Sequence, residues 1–208
     1  MSFYRDRVYP QIVRKLGNPK PIDDIRRQIV PLAHGHVLEL GVGPGVNFAY
    51  YDPDKVSKVF ALEPNPGMLR RAAQEQRRTS VEVEFLDLPG EQLPLDDSSV
   101  DCVVSTFTMC TIPDVAQALR GVNRVLKPGG ELIFFEHGLS PEPQVQQWQR
   151  KIEPFFKFAF EGRHVTRHIP SLVAESGLEI EQINEGYLAP FPKSGSYGFW
   201  GLARLATV

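Results

Sequence analysis

Residues 37–45 read Val37-Leu38-Glu39-Leu40-Gly41-Val42-Gly43-Pro44-Gly45, a short apolar run that stops at a glycine-rich loop. In a doubly wound α/β sheet, ligands bind at the carboxyl ends of the strands, where loops of this kind lie. Glycine lets the backbone adopt positive φ and lets a ligand approach the chain closely. The stretch therefore predicts a buried strand followed by a ligand-binding turn.

Further apolar runs alternate with helical patterns along the chain. The strand-type runs are 59–62, 81–86, 102–105, 132–135, 178–184 and 196–202. The helical patterns are 67–78, 114–126, 141–160 and 169–176, for which we expect Asp114 as a cap and Pro154 in a first turn. Runs without polar alternation suit strands that are buried on both faces. The alternation predicts an α/β fold with a doubly wound sheet.

Length, charge and cysteine content narrow the classes of protein. The 208 residues fit one domain, 1–208, and the net charge of −2 leaves no basic excess for nucleic acid. The two cysteines are too few for a disulfide framework, which favours a cytoplasmic location. No segment has the apolar length of a signal peptide or a membrane-spanning helix. Peripheral contact with a membrane surface and the oligomeric state stay open.

The loop chemistry distinguishes between cofactors. A dinucleotide fingerprint has its third glycine at position 46, where this chain has Val46, and Glu39 would repel a pyrophosphate. S-adenosylmethionine (SAM) has no phosphate, and Glu39 suits its cationic amino-acid end. Glu63, at the end of the second run, is placed for ribose hydroxyls. The alternative is a glycine turn that only joins a strand to a helix.

Several segments between residues 36 and 137 resemble the class I SAM-dependent methyltransferases. Residues 37–45 resemble their motif I, 62–68 their second motif and 90–94 their adenine loop, while 99–104 and 124–130 match the later framework. Pro89 departs from the family, in which Asp is common at this position. The resemblance implies a mostly parallel, seven-stranded Rossmann-like sheet with an antiparallel last strand, SAM as the cofactor and S-adenosylhomocysteine as the product. The implied cofactor-binding residues are Glu39, Gly41, Gly43, Gly45, Asn47, Glu63, Pro64, Asn65, Met68, Gly90, Glu91 and Thr106.

The second half of the chain resembles a narrower group. Segments 108–113, 135–138 and 162–167, with Trp148, are similar to type 11 methyltransferases related to the alkyl-thiol methyltransferases. That resemblance implies a small-molecule acceptor, a thiol or sulfide, and therefore S-methylation. Arg163 and His164 replace the Cys or small polar residue of many relatives. The alternatives are N-methylation of a phospholipid or amine and a regulatory protein that binds SAM without catalysis.

His137 is the candidate catalytic residue, because it follows the fifth strand at the ligand-binding edge. It acts as a base or acceptor contact, or it only hydrogen-bonds a loop. The candidate substrate-binding residues are Tyr4, Tyr9, Cys110, Arg163 and His164. A buried, inert role is the simpler interpretation of Cys110, and no metal site is expected.

Two segments are expected to cover the site. Residues 1–35, with Tyr4 and Tyr9 in a basic stretch, are interpreted as a helical lid, and 138–176 as a helical insertion on the acceptor side. The Phe-rich part of that insertion, 155–160, would wall an acceptor pocket or dock on lipid; a helix buried in its own domain is the default expectation.

Overall fold

One sheet organises the chain in the computed structural model, which describes residues 4, 7, 9–16 and 18–205. Its strands are β1 (Gly35–Leu40), β2 (Val56–Leu62), β3 (Glu82–Leu86), β4 (Val100–Thr106), β5 (Leu126–His137), β6 (Leu178–Tyr187) and β7 (Tyr197–Leu205). The order across the sheet is β3-β2-β1-β4-β5-β7-β6. Neighbouring strands from β3 to β5 pair in parallel, while β7 runs antiparallel to both β5 and β6. The predicted mostly parallel seven-stranded sheet with an antiparallel last strand is confirmed.

The helices lie where the sequence patterns indicate, with one error. They are α1 (Tyr9–Leu16), α2 (Lys20–Ile29), α3 (Pro66–Glu75), α4 (Val115–Val125), α5 (Pro143–Ala159) and α6 (Ile169–Glu175). The Asp114 side chain accepts a hydrogen bond from the Gln117 N–H at 2.9 Å and caps α4, as predicted. The prediction for Pro154 is wrong, because Pro143 occupies the first turn of α5 and Pro154 lies inside the helix.

Alternate residues of the central strands supply two cores. Leu38 of β1 packs in the core that includes α4 and α6, whereas Val37 packs in the core on the other face with α2. The same alternation places Phe134 and Phe135 of β5 in opposite cores. Both faces of these strands are buried, which explains why their sequences lack polar alternation.

The strand order places the site. Connections from β1 proceed outward in one direction to β2 and β3, and in the other direction from β4 to β5. The crevice between the carboxyl ends of β1 and β4 is therefore the switch point at which doubly wound sheets bind ligands.

Candidate functional site

A cavity of about 880 Å³ opens at this switch point, within the usual size of small-molecule sites. Loops after five strands and the helices α1 and α2 form its walls. The predicted site residues that line it are Tyr9, Gly41, Gly43, Asn47, Glu63, Pro64, Met68, Gly90, Glu91, Thr106, His137, Arg163 and His164. Those that do not line it are Tyr4, Glu39, Gly45, Asn65 and Cys110.

The three loop glycines all have positive φ but serve different purposes. A Cβ on Gly41, at φ +70°, would lie 2.4 Å from the Thr108 side chain, so Gly41 permits close packing of two loops. A Cβ on Gly43, at φ +54°, would meet no atom within 4 Å, because this residue faces open space in the cavity. A Cβ on Gly45 would lie 3.0 Å from the Ala72 backbone of α3. Gly43 is thus the point of backbone approach to a ligand, and Gly45 is needed for packing.

Glu63 joins the glycine loop to the end of β2. Its carboxylate accepts hydrogen bonds from the Gly43 N–H at 3.0 Å and the Asn65 N–H at 2.9 Å. A carboxylate has about four lone-pair sites, and that of Glu63 lies in the cavity wall. This is the chemistry that two vicinal hydroxyls of a ribose require.

Asn65 supports the site from behind. It is fully buried, and its side-chain oxygen accepts hydrogen bonds from the N–H groups of Gly67 and Met68, which caps α3. Its side-chain amide donates to Glu161 Oε1 at 2.9 Å. Asn65 does not line the cavity but fixes the first turn of α3, which presents Met68 to the cavity. A contact of Asn65 with the cofactor stays a prediction.

Glu39 also lies behind the cavity wall. Asn47 donates to its Oε1 at 2.8 Å, and the Tyr51 hydroxyl donates to its Oε2 at 2.9 Å. Burial raises the pKa of Glu39 to about 7 despite these two donors. Glu39 does not line the cavity but orients Asn47, which does. That Glu39 holds or organises the amino-acid end of the cofactor stays a prediction.

Arg26 was missed by sequence reasoning. Its guanidinium donates to Asn47 Oδ1 and, at 2.9 Å, to Thr106 Oγ1, and it lies 5.5 Å from the centroid of the Phe107 ring. Burial lowers the pKa of Arg26, and its Nε has no hydrogen-bond partner among the described residues. A fixed cation with a free donor at this wall suits a carboxylate. The available signal was its position beside Ile22 and Ile29 on the buried face of α2.

Glu136 was quoted only as part of a motif, and its role was also missed. The carboxylate is fully buried and accepts hydrogen bonds from Ser105 Oγ and from the N–H groups of Thr108, Met109 and Cys110, at 2.8–3.2 Å. Burial raises its pKa, and the four donors lower it. Glu136 thereby holds the turn after β4, which packs against Gly41.

His137 and Arg163 mark a second part of the site. Both also line an adjoining, mostly apolar cavity of about 270 Å³. Burial, with the nearby Arg163 charge, lowers the pKa of His137 to about 3, so the imidazole is neutral. Neither His137 Nδ1 nor Arg163 Nε, both buried, has a hydrogen-bond partner among the described residues. The two cavities therefore meet where the neutral imidazole of His137 lies near the positively charged guanidinium of Arg163.

The Phe-rich helix divides between two environments. Phe156 and Phe160 line the second cavity together with Ile152. Phe155 and Phe158 are instead 63% and 89% exposed. The default expectation of a helix buried in its own domain is therefore wrong for the outer face of α5.

The other acceptor candidates differ in position. Tyr9 is buried at the cavity wall, and burial raises its pKa to about 12. Tyr4 lies away from the cavity, where its hydroxyl donates to the Ala159 carbonyl at 3.1 Å. His164 faces the cavity with its Nδ1 3.1 Å from Glu153 Oε1, and burial lowers its pKa. Cys110 is a free, fully buried thiol whose pKa burial raises to about 12.

The predicted N-terminal lid is only partly described. Tyr9 and Val13 of α1 and Ile22 of α2 line the main cavity. Arg5 lies outside the described residues, and the side chains of Arg14 and Lys15 are outside the described part of α1. A lid function stays a prediction.

Neither a membrane-spanning helix nor a metal-binding cluster is present among the described residues. Within residues 4, 7, 9–16 and 18–205, no helix is long and apolar enough to cross a bilayer. In the same part of the chain, no group of three or more His, Cys, Asp or Glu side chains is arranged to hold a metal ion.

Comparison with known proteins agrees with the geometry. Residues 38–134 match a family model described as a methyltransferase domain. Thiol S-methyltransferase TMT1B of Rattus norvegicus is 41% identical over 63% of this chain and 54% of that protein. Thiol S-methyltransferase TMT1A of Homo sapiens is 35% identical over 63% and 54%. The chain thus spans about half the length of the curated relatives it matches.

Solved structures show the fold. A methyltransferase solved with the Trm112 activator of Haloferax volcanii has a TM-score of 0.73 at 15% identity, over 98% of this chain and 96% of that one. The [4+2]-cyclase SpnF has a TM-score of 0.69 at 17% identity, over 89% and 80%. The fold alone is therefore shared with a protein named for different chemistry, and the likeness to methyltransferases rests on the sequence match. Residues 38–134 match a methyltransferase domain, the chain is similar to the class I SAM-dependent methyltransferases, and the cofactor that this similarity implies is SAM.

Proposed function

We propose that this protein methylates the sulfur of a small thiol and that it binds the acceptor as a thiolate. The observation that carries the proposal is the buried, unpartnered Nε of Arg163, which lies beside neutral His137 where the two cavities meet, as judged among the described residues. The names of the relatives, thiol S-methyltransferases, support the same acceptor class. A cytoplasmic setting, in which thiols are reduced, is part of the proposal.

The donor half of the cavity fits SAM. Glu63 places a carboxylate in the cavity wall for the ribose hydroxyls, and the Gly43 backbone leaves room for the nucleoside. Met68 and Gly90 provide a wall for the adenine, and Arg26 provides a free N–H for the amino-acid carboxylate. SAM, when bound, would supply a sulfonium methyl for in-line transfer: the thiolate sulfur would form a bond to the methyl carbon as the sulfonium C–S bond breaks and S-adenosylhomocysteine leaves.

The acceptor half determines how the thiol becomes reactive. A thiolate is the nucleophilic form, and its ordinary pKa near 8.5 falls beside a fixed cation. The guanidinium of Arg163 supplies that cation in apolar surroundings, where charge interactions are strong. The neutral imidazole of His137 would not keep an additional proton taken from the thiol near pH 7, because its pKa is about 3. We therefore assign the thiol proton to solvent and give His137 a positioning role through its free Nδ1.

No enzyme nucleophile is needed. Cys110 is buried away from the cavity and its raised pKa keeps it protonated. N-methylation of a phospholipid headgroup, the main alternative, would bring a cationic amine next to Arg163, an unfavourable pairing.

The test measures S-adenosylhomocysteine release with sulfide, methanethiol and larger alkyl thiols. We expect turnover with thiols, loss of at least about tenfold in Arg163→Met, partial recovery in Arg163→Lys, and unchanged SAM affinity in both. SAM binding without turnover of any thiol would refute S-methylation. Turnover of phosphatidylethanolamine instead would establish N-methylation. SAM binding without turnover of any acceptor would indicate a regulatory SAM-binding protein.

A further inference from the structure

The outer face of α5 has an aromatic and basic stripe that neither cavity uses. The stripe consists of Trp148, Lys151, Phe155 and Phe158, separated by three, four and three residues. This spacing places all four side chains on one face of the helix. Their aromatic members are 60%, 63% and 89% exposed, and the Lys151 ammonium lies 5.0 Å from the centroid of the Trp148 ring.

The helix itself is firmly attached, so this exposure belongs to an ordered surface. Gln149, on the opposite face, is buried and donates to the carbonyls of Gly138 and Val165 at 3.0 and 2.9 Å. Its side-chain oxygen accepts a hydrogen bond from the Ser140 N–H at 3.0 Å. These three bonds fix the rotation of α5 about its axis and direct the stripe outward.

The charges around the stripe are predominantly positive. Within α5 the basic residues are Arg150, Lys151 and Lys157, and the single acidic one is Glu153. The side chain of Glu153 is only 13% exposed and is engaged by Lys157 and His164. The neighbouring Glu142 pairs with Lys193 at 2.9 Å. Arg150 and Lys151 form no ion pair with another described residue, so an approaching surface meets exposed aromatics accompanied by two positive charges.

We infer that α5 is an interfacial helix, which docks this protein through Trp148, Phe155 and Phe158 on a bilayer that contains anionic phospholipids. Tryptophan and phenylalanine favour the boundary between headgroups and acyl chains, and lysine extends from that depth to the phosphates. Over ten residues the stripe is about 15 Å long, so it lies flat along the surface. A second copy of the chain is a poorer occupant, because a two-fold contact would bring the same Lys151 charges together.

The inference places the acceptor site close to the lipid. The inner face of α5 supplies Ile152 and Phe156 to the second cavity. One helix therefore separates the docking surface from the place where His137 and Arg163 meet. Docking by itself does not depend on which acceptor the enzyme uses.

The experiment measures flotation of the full chain with vesicles of phosphatidylcholine alone or with about 30% phosphatidylserine. The test variant changes Trp148, Phe155 and Phe158 to Gln. The matched control changes Leu32 and Ile183, exposed by 47% and 43% on other surfaces, to Gln. Thermal unfolding and SAM binding establish that each variant is folded, because the stripe does not contact the cavity proposed for SAM.

We expect wild type and control to bind the anionic vesicles and the triple variant to bind them at least about tenfold more weakly. Wild type should also bind vesicles of phosphatidylcholine alone at least about tenfold more weakly than anionic vesicles. In a Trp200→Phe background Trp148 is the single tryptophan, and its emission should shift to the blue with anionic vesicles. Equal binding of wild type and triple variant, or none by wild type, would overturn the inference. So would a wild-type dimer that needs the stripe and ignores vesicles, since the face would then be a self-interface.

Discussion

Replacing Glu39 by Gln should remove a specific part of the pH dependence of folding. Burial raises the pKa of this carboxyl from 4.5 to about 7. Because the folded state holds the proton more tightly than the unfolded state, the contribution is fully present below about pH 4.5 and is lost as the pH rises through 7. At about 1.4 kcal/mol per unit of pKa, the contribution of Glu39 to the free energy of unfolding is about 3 kcal/mol. About 2.5 kcal/mol of this contribution is lost between pH 5 and 8. Gln keeps the shape: its oxygen accepts from Asn47, and its amide donates to the Tyr51 hydroxyl.

The assay is urea unfolding followed by circular dichroism at pH 5 and pH 8. The free energy of unfolding of wild type should fall between these values by about 2.5 kcal/mol more than that of Glu39→Gln. Exposed Glu179, changed to Gln, serves as the control and should reproduce the wild-type difference. An equal pH dependence in wild type and Glu39→Gln would show that burial of Glu39 does not control its protonation, and the argument would fail.

Three further predictions concern the donor site. Arg26→Met should weaken SAM binding about tenfold, as measured by calorimetry, because it removes the partner of the SAM carboxylate. Turnover at saturating SAM should change little, because no reacting group is lost. An unchanged affinity would exclude a contact between Arg26 and the carboxylate. Asn65→Ala should lower the free energy of unfolding by about 1 kcal/mol in urea, the usual cost of a lost N-cap; no loss would show that the cap bonds are dispensable. Gly43→Ala should lower the free energy of unfolding by about 1–2 kcal/mol because of its positive φ alone, since the added Cβ meets no atom within 4 Å. It should also reduce SAM affinity, because the added methyl group enters the cavity. Normal SAM affinity in that variant would show that the loop backbone does not approach the ligand.

The fold was largely predictable because its signals are local. An apolar run followed by glycine, repeated with helices between, identifies buried parallel strands at any position in the chain. Helix starts were read from single side chains, as with Asp114. Pro154 failed because proline within a helix is rare, so a first-turn position was the better expectation. The helix instead begins at Pro143, so Pro154 falls in its interior.

The donor site was predictable in composition but not in role. Glu39 and Asn65 were recognised as members of motifs, yet each acts one layer behind the cavity, on Asn47 and on α3. Sequence adjacency cannot distinguish a side chain that touches a ligand from one that orients its neighbour, because both are fixed relative to the same loop. Arg26 escaped for the opposite reason: it lies on a helix outside the motifs and reaches Asn47 and Thr106 only after the chain has folded.

The acceptor site depends most on the folded chain, and this explains why its chemistry could not be read from His137 alone. A histidine after the fifth strand favours a general base, and at its ordinary pKa near 6.5 it would be one. Arg163, 26 positions further along the chain by the printed sequence, lies in the same wall and combines with burial to lower the pKa of His137 to about 3. Under the proposed function, the same contact that keeps His137 neutral would supply the cation that stabilises a thiolate. Deprotonation of a thiol gives an anion that a fixed positive charge both promotes and stabilises, whereas deprotonation of an amine gives a neutral nitrogen that forms no ion pair with Arg163. The departure at Arg163, which at first counted against the thiol acceptor, therefore becomes the physical argument in its favour.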